Sequence, residues 1–169
     1  MTEPHAFHEY PAKLKQSTLD PGTLYLRSDE FVAVREDREP SRSDLPVLTL
    51  TDDEGQSIAV YRRGPSLERT RTPSVWTVPV YTLSGTRIAV PTGRVFVRFR
   101  DGVPVSAKLD DVKRAGYRVA KTLSYAPNAA WLDGQDGEVA SALGNLGRLE
   151  ALRDMVNVEP QLLMARATR

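Results

Sequence analysis

The chain has 169 residues, enough for one domain with a real core or one domain with an extension. Its 23 Lys and Arg against 22 Asp and Glu leave a net charge of +1, which gives no electrostatic case for nucleic acid or an acidic membrane. The absence of cysteine excludes disulfides, thiolate metal sites and a Cys nucleophile.

Residues 1–21 read as a mobile arm, polar and interrupted by Pro4, Pro11 and Pro21, without periodicity. His5 and His8, the only histidines, lack a third metal ligand nearby. The first residues show no basic stretch leading into an apolar run, and no later stretch is apolar for long enough to span a bilayer. The expectation is a cytoplasmic protein with no membrane partner.

Residues 22–92 carry β signals. Phe31–Val34, Pro46–Leu50, Ser57–Tyr61 and Val75–Leu83 are β-branched or aromatic runs, and Asp52-Asp53-Glu54-Gly55 is a turn between two of them. The charged, proline-bearing stretches 35–44 and 62–73 read as exposed loops. One internal echo stands out: Gly22–Asp37 and Gly85–Asp101 have similar layouts, as two hairpins built to one plan would.

Residues 93–169 predict the order strand, helix, strand, strand, helix, strand. In Arg94–Phe99 alternation puts Val95, Val97 and Phe99 on one face, and Arg94, Phe96 and Arg98 on the other. Ser106 is placed to cap a helix over 107–115, with Leu109 and Val112 as its buried stripe and Gly116 at its end. Tyr117–Leu123 and Asn128–Leu132 follow as strands, turned by Asp133-Gly134. From Glu138 a second helix buries Val139, Ala142, Leu143 and Leu146, weakened by Gly144 and Gly147. Val156 opens the last strand, and Pro160 belongs at an edge or where the strand leaves the sheet. The fold class expected is α+β: a C-terminal ferredoxin-like βαββαβ domain preceded by a small antiparallel β extension.

This half resembles the N-terminal propeptide domain of subtilisin-like serine proteases. The likeness rests on Gly93-Arg94-Val95-Phe96-Val97-Arg98-Phe99-Arg100-Asp101-Gly102-Val103, on Ala115–Val119, on Ser124-Tyr125-Ala126-Pro127-Asn128, on the helix after Glu138, and on Val156-Asn157-Val158-Glu159-Pro160-Gln161-Leu162. The protease's own Asp, His and Ser have no counterpart. The resemblance therefore implies a free-standing propeptide-like protein, not an enzyme and with no cofactor. It would bind and inhibit a separately encoded subtilisin-like serine protease, with assistance to folding an open second role.

On that reading Phe96, Arg98, Glu159 and Asp133 form the docking face. Leu162, Leu163, Met164, Ala165, Arg166 and Ala167 form a tail that enters the protease cleft like a product, adding as a strand. Other readings stay open beside these: Phe96 as core beneath the N-terminal sheet, Leu162–Met164 as an ordinary last strand, and Glu159 as a solvated edge residue. Two rival classes use the same open face, nucleic-acid binding and small-molecule sensing. The first wants a second aromatic, which 128–132 does not offer as a motif, and no nucleic-acid partner is expected. The oligomeric state is left open.

Overall fold

The computed structural model describes residues 7–35, 45–64 and 76–165. Among these residues nine strands form in the order β1 (Lys13–Lys15), β2 (Leu24–Arg35), β3 (Leu48–Thr51), β4 (Ser57–Arg62), β5 (Thr77–Leu83), β6 (Arg87–Phe99), β7 (Tyr117–Leu123), β8 (Ala126–Gly134) and β9 (Met155–Met164). The helices are short: α1 (Leu109–Arg114), α2 (Val139–Gly144) and α3 (Leu146–Glu150), with single 3-10 turns at Phe7–Glu9 and Val105–Ala107. His8, exposed in the first of these turns, is described; His5 lies outside the described residues.

The expected fold class is corrected by the sheet. All nine strands join one antiparallel sheet in which 51% of the described residues are strand and only 17% helical, so the fold is mainly β and not a ferredoxin-like α+β domain with a β extension. The sheet runs β3-β4-β2-β5-β6-β8-β7, with β1 on β2 and β9 on β6. The boundary expected at residue 92 falls inside β6. That strand pairs β5 through Arg87–Ala89, β8 through Val95–Arg98, and β9 along Ala89–Phe99.

The described part of the expected mobile arm is tied down. Tyr10, Leu14 and Ser17 are buried, and β1 pairs β2. Arg27 Nη1 donates to the carbonyls of Phe7 and Tyr10, and the Tyr81 hydroxyl donates to that of Pro11 at 2.7 Å. At the outer edge of β9 the Thr18 amide donates to Val158 O (3.1 Å), while Val158 N–H donates to Thr18 Oγ1 (3.2 Å). A sheet edge left open invites pairing with other chains, and Thr18 closes this one at its middle.

Two cores share the sheet. The first gathers Tyr25, Ala33, Leu50, Ile58, Val60, Val78, Val80 and Val90 from β2–β6, with α2 contributing Val139, Ala140 and Leu143. Here the run β3-β4-β2-β5-β6-β9 curls until β3 touches β9, although no backbone ladder joins them among the described residues. A small third cluster, Val32, Val34, Ala59 and Tyr61, buries the reverse face of β2 and β4. The second core sets Val95, Val97, Phe99, Leu132 and Val158 against Val112 of α1, Ala142 of α2 and Leu149 of α3.

The helices differ in detail from expectation. Ser106 lies in the 3-10 turn and caps nothing; α1 starts at Leu109, which is exposed, while Val112 is buried as expected. Gly116 closes it with φ +98°, a conformation that a side chain would strain. The second helix breaks at Asn145, between Gly144 and Gly147, into α2 and α3. The echo noted in the sequence falls on β2 and β6, the two longest strands, and each carries an irregularity in its pairing.

Candidate functional site

The alternation in β6 divides its second half cleanly. Val95, Val97 and Phe99 are fully buried against the helices, whereas Phe96 is half-buried and Arg98 exposed on the far side. Directly opposed residues of an antiparallel pair share a face. The registers therefore lay a row across four strands: Glu159 of β9, Phe96 of β6, Trp131 of β8 and Lys121 of β7. A second row holds Asn157, Arg98 and Ala129, and Asp133 stands opposite Arg118 toward the other end. Phe96 and Trp131 meet edge to face, with ring centroids 5.3 Å apart and planes at 62°. Arg98, Arg118, Lys121 and Glu159 around them are exposed.

Of the residues expected to dock, Phe96, Arg98 and Glu159 come together on this face. Asp133 shares it but is drawn aside, its carboxylate accepting from Arg94 Nε at 3.2 Å. Trp131 is the member of the face that the sequence reading omits, although its signal is local. Ala130 and Leu132 are buried on the helix side, so the residue between them must point the other way.

The expected tail is placed differently. Leu162, Leu163 and Met164 are the last rungs of β9, opposite Pro91, Val90 and Ala89, and the two leucines pack partly against the first core. The Tyr25 hydroxyl lies 3.5 Å from Met164 Sδ. Pro160, half-way along β9 and buried, faces Val95; because β9 pairs only β6 among the described residues, its missing donor costs no ladder bond on the other side. Ala165 is exposed just past the strand, and Arg166 and Ala167 lie outside the described residues.

A polar cleft of about 130 Å³ adjoins the face where β6 bulges. Three residues, Thr92, Gly93 and Arg94, stand against Gln161 alone in β9. Gly93 takes φ +87° and a Cβ there would come within 3.1 Å of Val139 Cγ2, so the bulge needs glycine twice over. Arg94 reaches Asp133 and, at 3.6 Å, Glu54 of the β3–β4 turn. Within that turn Asp52 Oδ1 accepts the amides of Glu54 and Gln56, and its other oxygen pairs with Arg35 at 3.3 Å. Arg35 also stacks on Trp76, 4.7 Å from the ring centre. Thr92 Oγ1 donates to Gln161 Oε1 and Gln161 Nε2 donates to Asp53 Oδ2, both at 2.7 Å. The acidic groups of the cleft are thus matched by arginine, closely at Asp52 and Asp133 and at longer range at Glu54, while Asp53 is met by a carboxamide. Among the described residues no cluster of His, Cys, Asp and Glu could hold a metal ion, and no helix is long and apolar enough to cross a membrane.

Neither a family model, nor a curated protein, nor a solved structure matches this chain.

Proposed function

We propose that this chain is a cytoplasmic docking protein whose open sheet face binds a subtilisin-like serine protease and whose residues beyond β9 obstruct the protease cleft. The observation that carries the reading is the Phe96–Trp131 pair at the centre of a sheet face that the three helices leave uncovered. Large aromatic side chains ringed by charged ones suit the centre and rim of a protein interface, where a few anchors supply most of the binding energy. The resemblance to protease propeptides supports the choice of partner, since most of its motifs fall on β6, the β7–β8 hairpin and β9, the strands that build this face, and the helix after Glu138 packs behind them. The cleft-entering segment is revised to begin at Ala165, because Leu162–Met164 are engaged with β6.

The test is a titration of a subtilisin-like serine protease with three chains: native, Phe96→Ala/Trp131→Ala, and one stopped after Met164. The native chain should inhibit. The aromatic variant should bind at least about tenfold more weakly, in keeping with two central anchors. The shortened chain should bind through its face but leave the protease active. Absence of any complex with the native chain would overturn the reading.

One observation favours a second reading. Phe96 and Trp131 lie side by side on adjacent strands with Arg98, Arg118 and Lys121 on the same side, an arrangement on which unpaired bases can stack. Glu159 and Asp133 on that face, and a net charge of only +1, weigh against a phosphate backbone. Salt-sensitive binding of single-stranded RNA, lost in the aromatic variant, would establish it in place of the first.

A further inference from the structure

Among the described residues the strands β1–β5 contribute nothing to the row of Glu159, Phe96, Trp131 and Lys121, and the geometry points to what they do for it. We infer that Gln161 is a positioning residue: a clip that closes the gap between β9 and β3 and so holds the end of β9, from which the cleft-entering segment departs. The inference rests on the docking reading for its consequence, though not for its geometry.

Gln161 sits where β9 passes from one core to the other. On its near side it faces the bulge of β6, on its far side the β3–β4 turn. Its carboxamide is used at both ends, accepting from Thr92 and donating to Asp53. Thr92 Oγ1 is itself fixed by the Arg94 amide at 3.2 Å. β3 and β9 touch without a ladder among the described residues, and the Gln161–Asp53 bond ties β9 to the turn that follows β3, while the Thr92 bond ties the same side chain to β6. Without this clip, the backbone of Leu162–Met164 would be laddered to β6 alone, across three rungs that follow an irregularity, with the partial packing of the two leucines and the Tyr25–Met164 contact as its other holds. Holding the end of β9 in one position before association lowers the ordering cost of binding there, which raises affinity without a new contact.

The carboxamide is required in this direction, because Thr92 offers a hydrogen and Asp53 a lone pair. Gln161→Glu would set two carboxylates against each other. Gln161→Glu combined with Asp53→Asn reverses the second bond and restores the clip, with the carboxamide now on the β3–β4 turn as donor. Amide hydrogen exchange in the free full-length chain reads the effect directly. Exchange at Leu162–Met164 should quicken about threefold to tenfold in Gln161→Ala and Gln161→Glu, as expected for one or two modest hydrogen bonds. It should return to the native rate in the double variant, with Ala129–Leu132 of β8 unchanged throughout. Inhibition should weaken by a similar factor in the single variants, while affinity for a protease whose catalytic serine is already blocked stays constant. Native exchange rates at Leu162–Met164 in the single variants, or no recovery in the double, would overturn the clip. A native chain that binds no protease, with the exchange pattern as expected, would instead remove the docking reading and leave the clip standing.

Discussion

The curled N-terminal half and the open-faced C-terminal half share β6 and β9 yet treat their strands in opposite ways. In β4 and β5 the burial is continuous, Ile58–Tyr61 and Val78–Thr82, because those strands are covered on both faces. In the second half of β6 it alternates, residue by residue, because helices cover one face, while on the other Phe96 is half-buried and Arg98 exposed. A strand buried on both sides works as scaffold. A strand buried on one side keeps a face free for recognition, and it is on that face that Phe96 and Trp131 stand.

The comparison can be broken at two phenylalanines of one strand. Phe99→Ala removes a fully buried ring from the second core and should cost about 3–5 kcal/mol of stability by denaturant unfolding. Phe96→Ala should cost well under half of that in the free chain, with its main effect on binding. Equal losses would mean that the open face is a core surface.

Next in size is Tyr117→Phe. The hydroxyl is buried and donates to Ala142 O, joining β7 to α2, and burial pushes its pKa well above the ordinary value. Its removal leaves a carbonyl without a donor and should cost about 1–3 kcal/mol. Tyr10, in the other core, sharpens the contrast through pH. Burial, then the carboxylates of Glu138 and Glu9, raise its pKa from 10.0 to about 12. Folding therefore favours the neutral phenol. Its contribution is intact below pH 10 and is lost as pH rises through about 12, and a denaturant series should show stability falling across that window in the native chain but less in Tyr10→Phe. The smallest effect belongs to Thr18→Val. Losing the acceptor for Val158 N–H should cost about 0.5–1.5 kcal/mol and appear as faster exchange at that amide.

The same contrast explains what can be read from the sequence. Alternation in Arg94–Phe99 identifies the open face, since period-two burial is visible in residue types. The same rule applied to 129–132 adds Trp131, whereas a search of that strand for a binding motif passes over it. In the N-terminal half the apolar runs mark strands but no faces, because a run buried on both sides carries no phase. That loss hides the curl that brings β3 to β9. It also makes Leu162–Met164 look like a free tail: nothing local in that segment announces that Ala89–Pro91, far earlier in the chain, is its partner. The α+β expectation fails for the same reason, since no residue pattern signals that β5 pairs with β6 and joins both halves in one sheet.

The chain has two tryptophans, and they divide between the regions: Trp76 stacks under Arg35 at the first core, and Trp131 is on the open face. Fluorine NMR of the chain labelled with fluorotryptophan therefore tests the central claim most directly. On addition of a subtilisin-like serine protease the Trp131 resonance should shift or broaden while that of Trp76 keeps its position, and Phe96→Ala should weaken the response. A complex that forms with the Trp131 resonance unmoved would contradict the assignment of the open face as the docking surface.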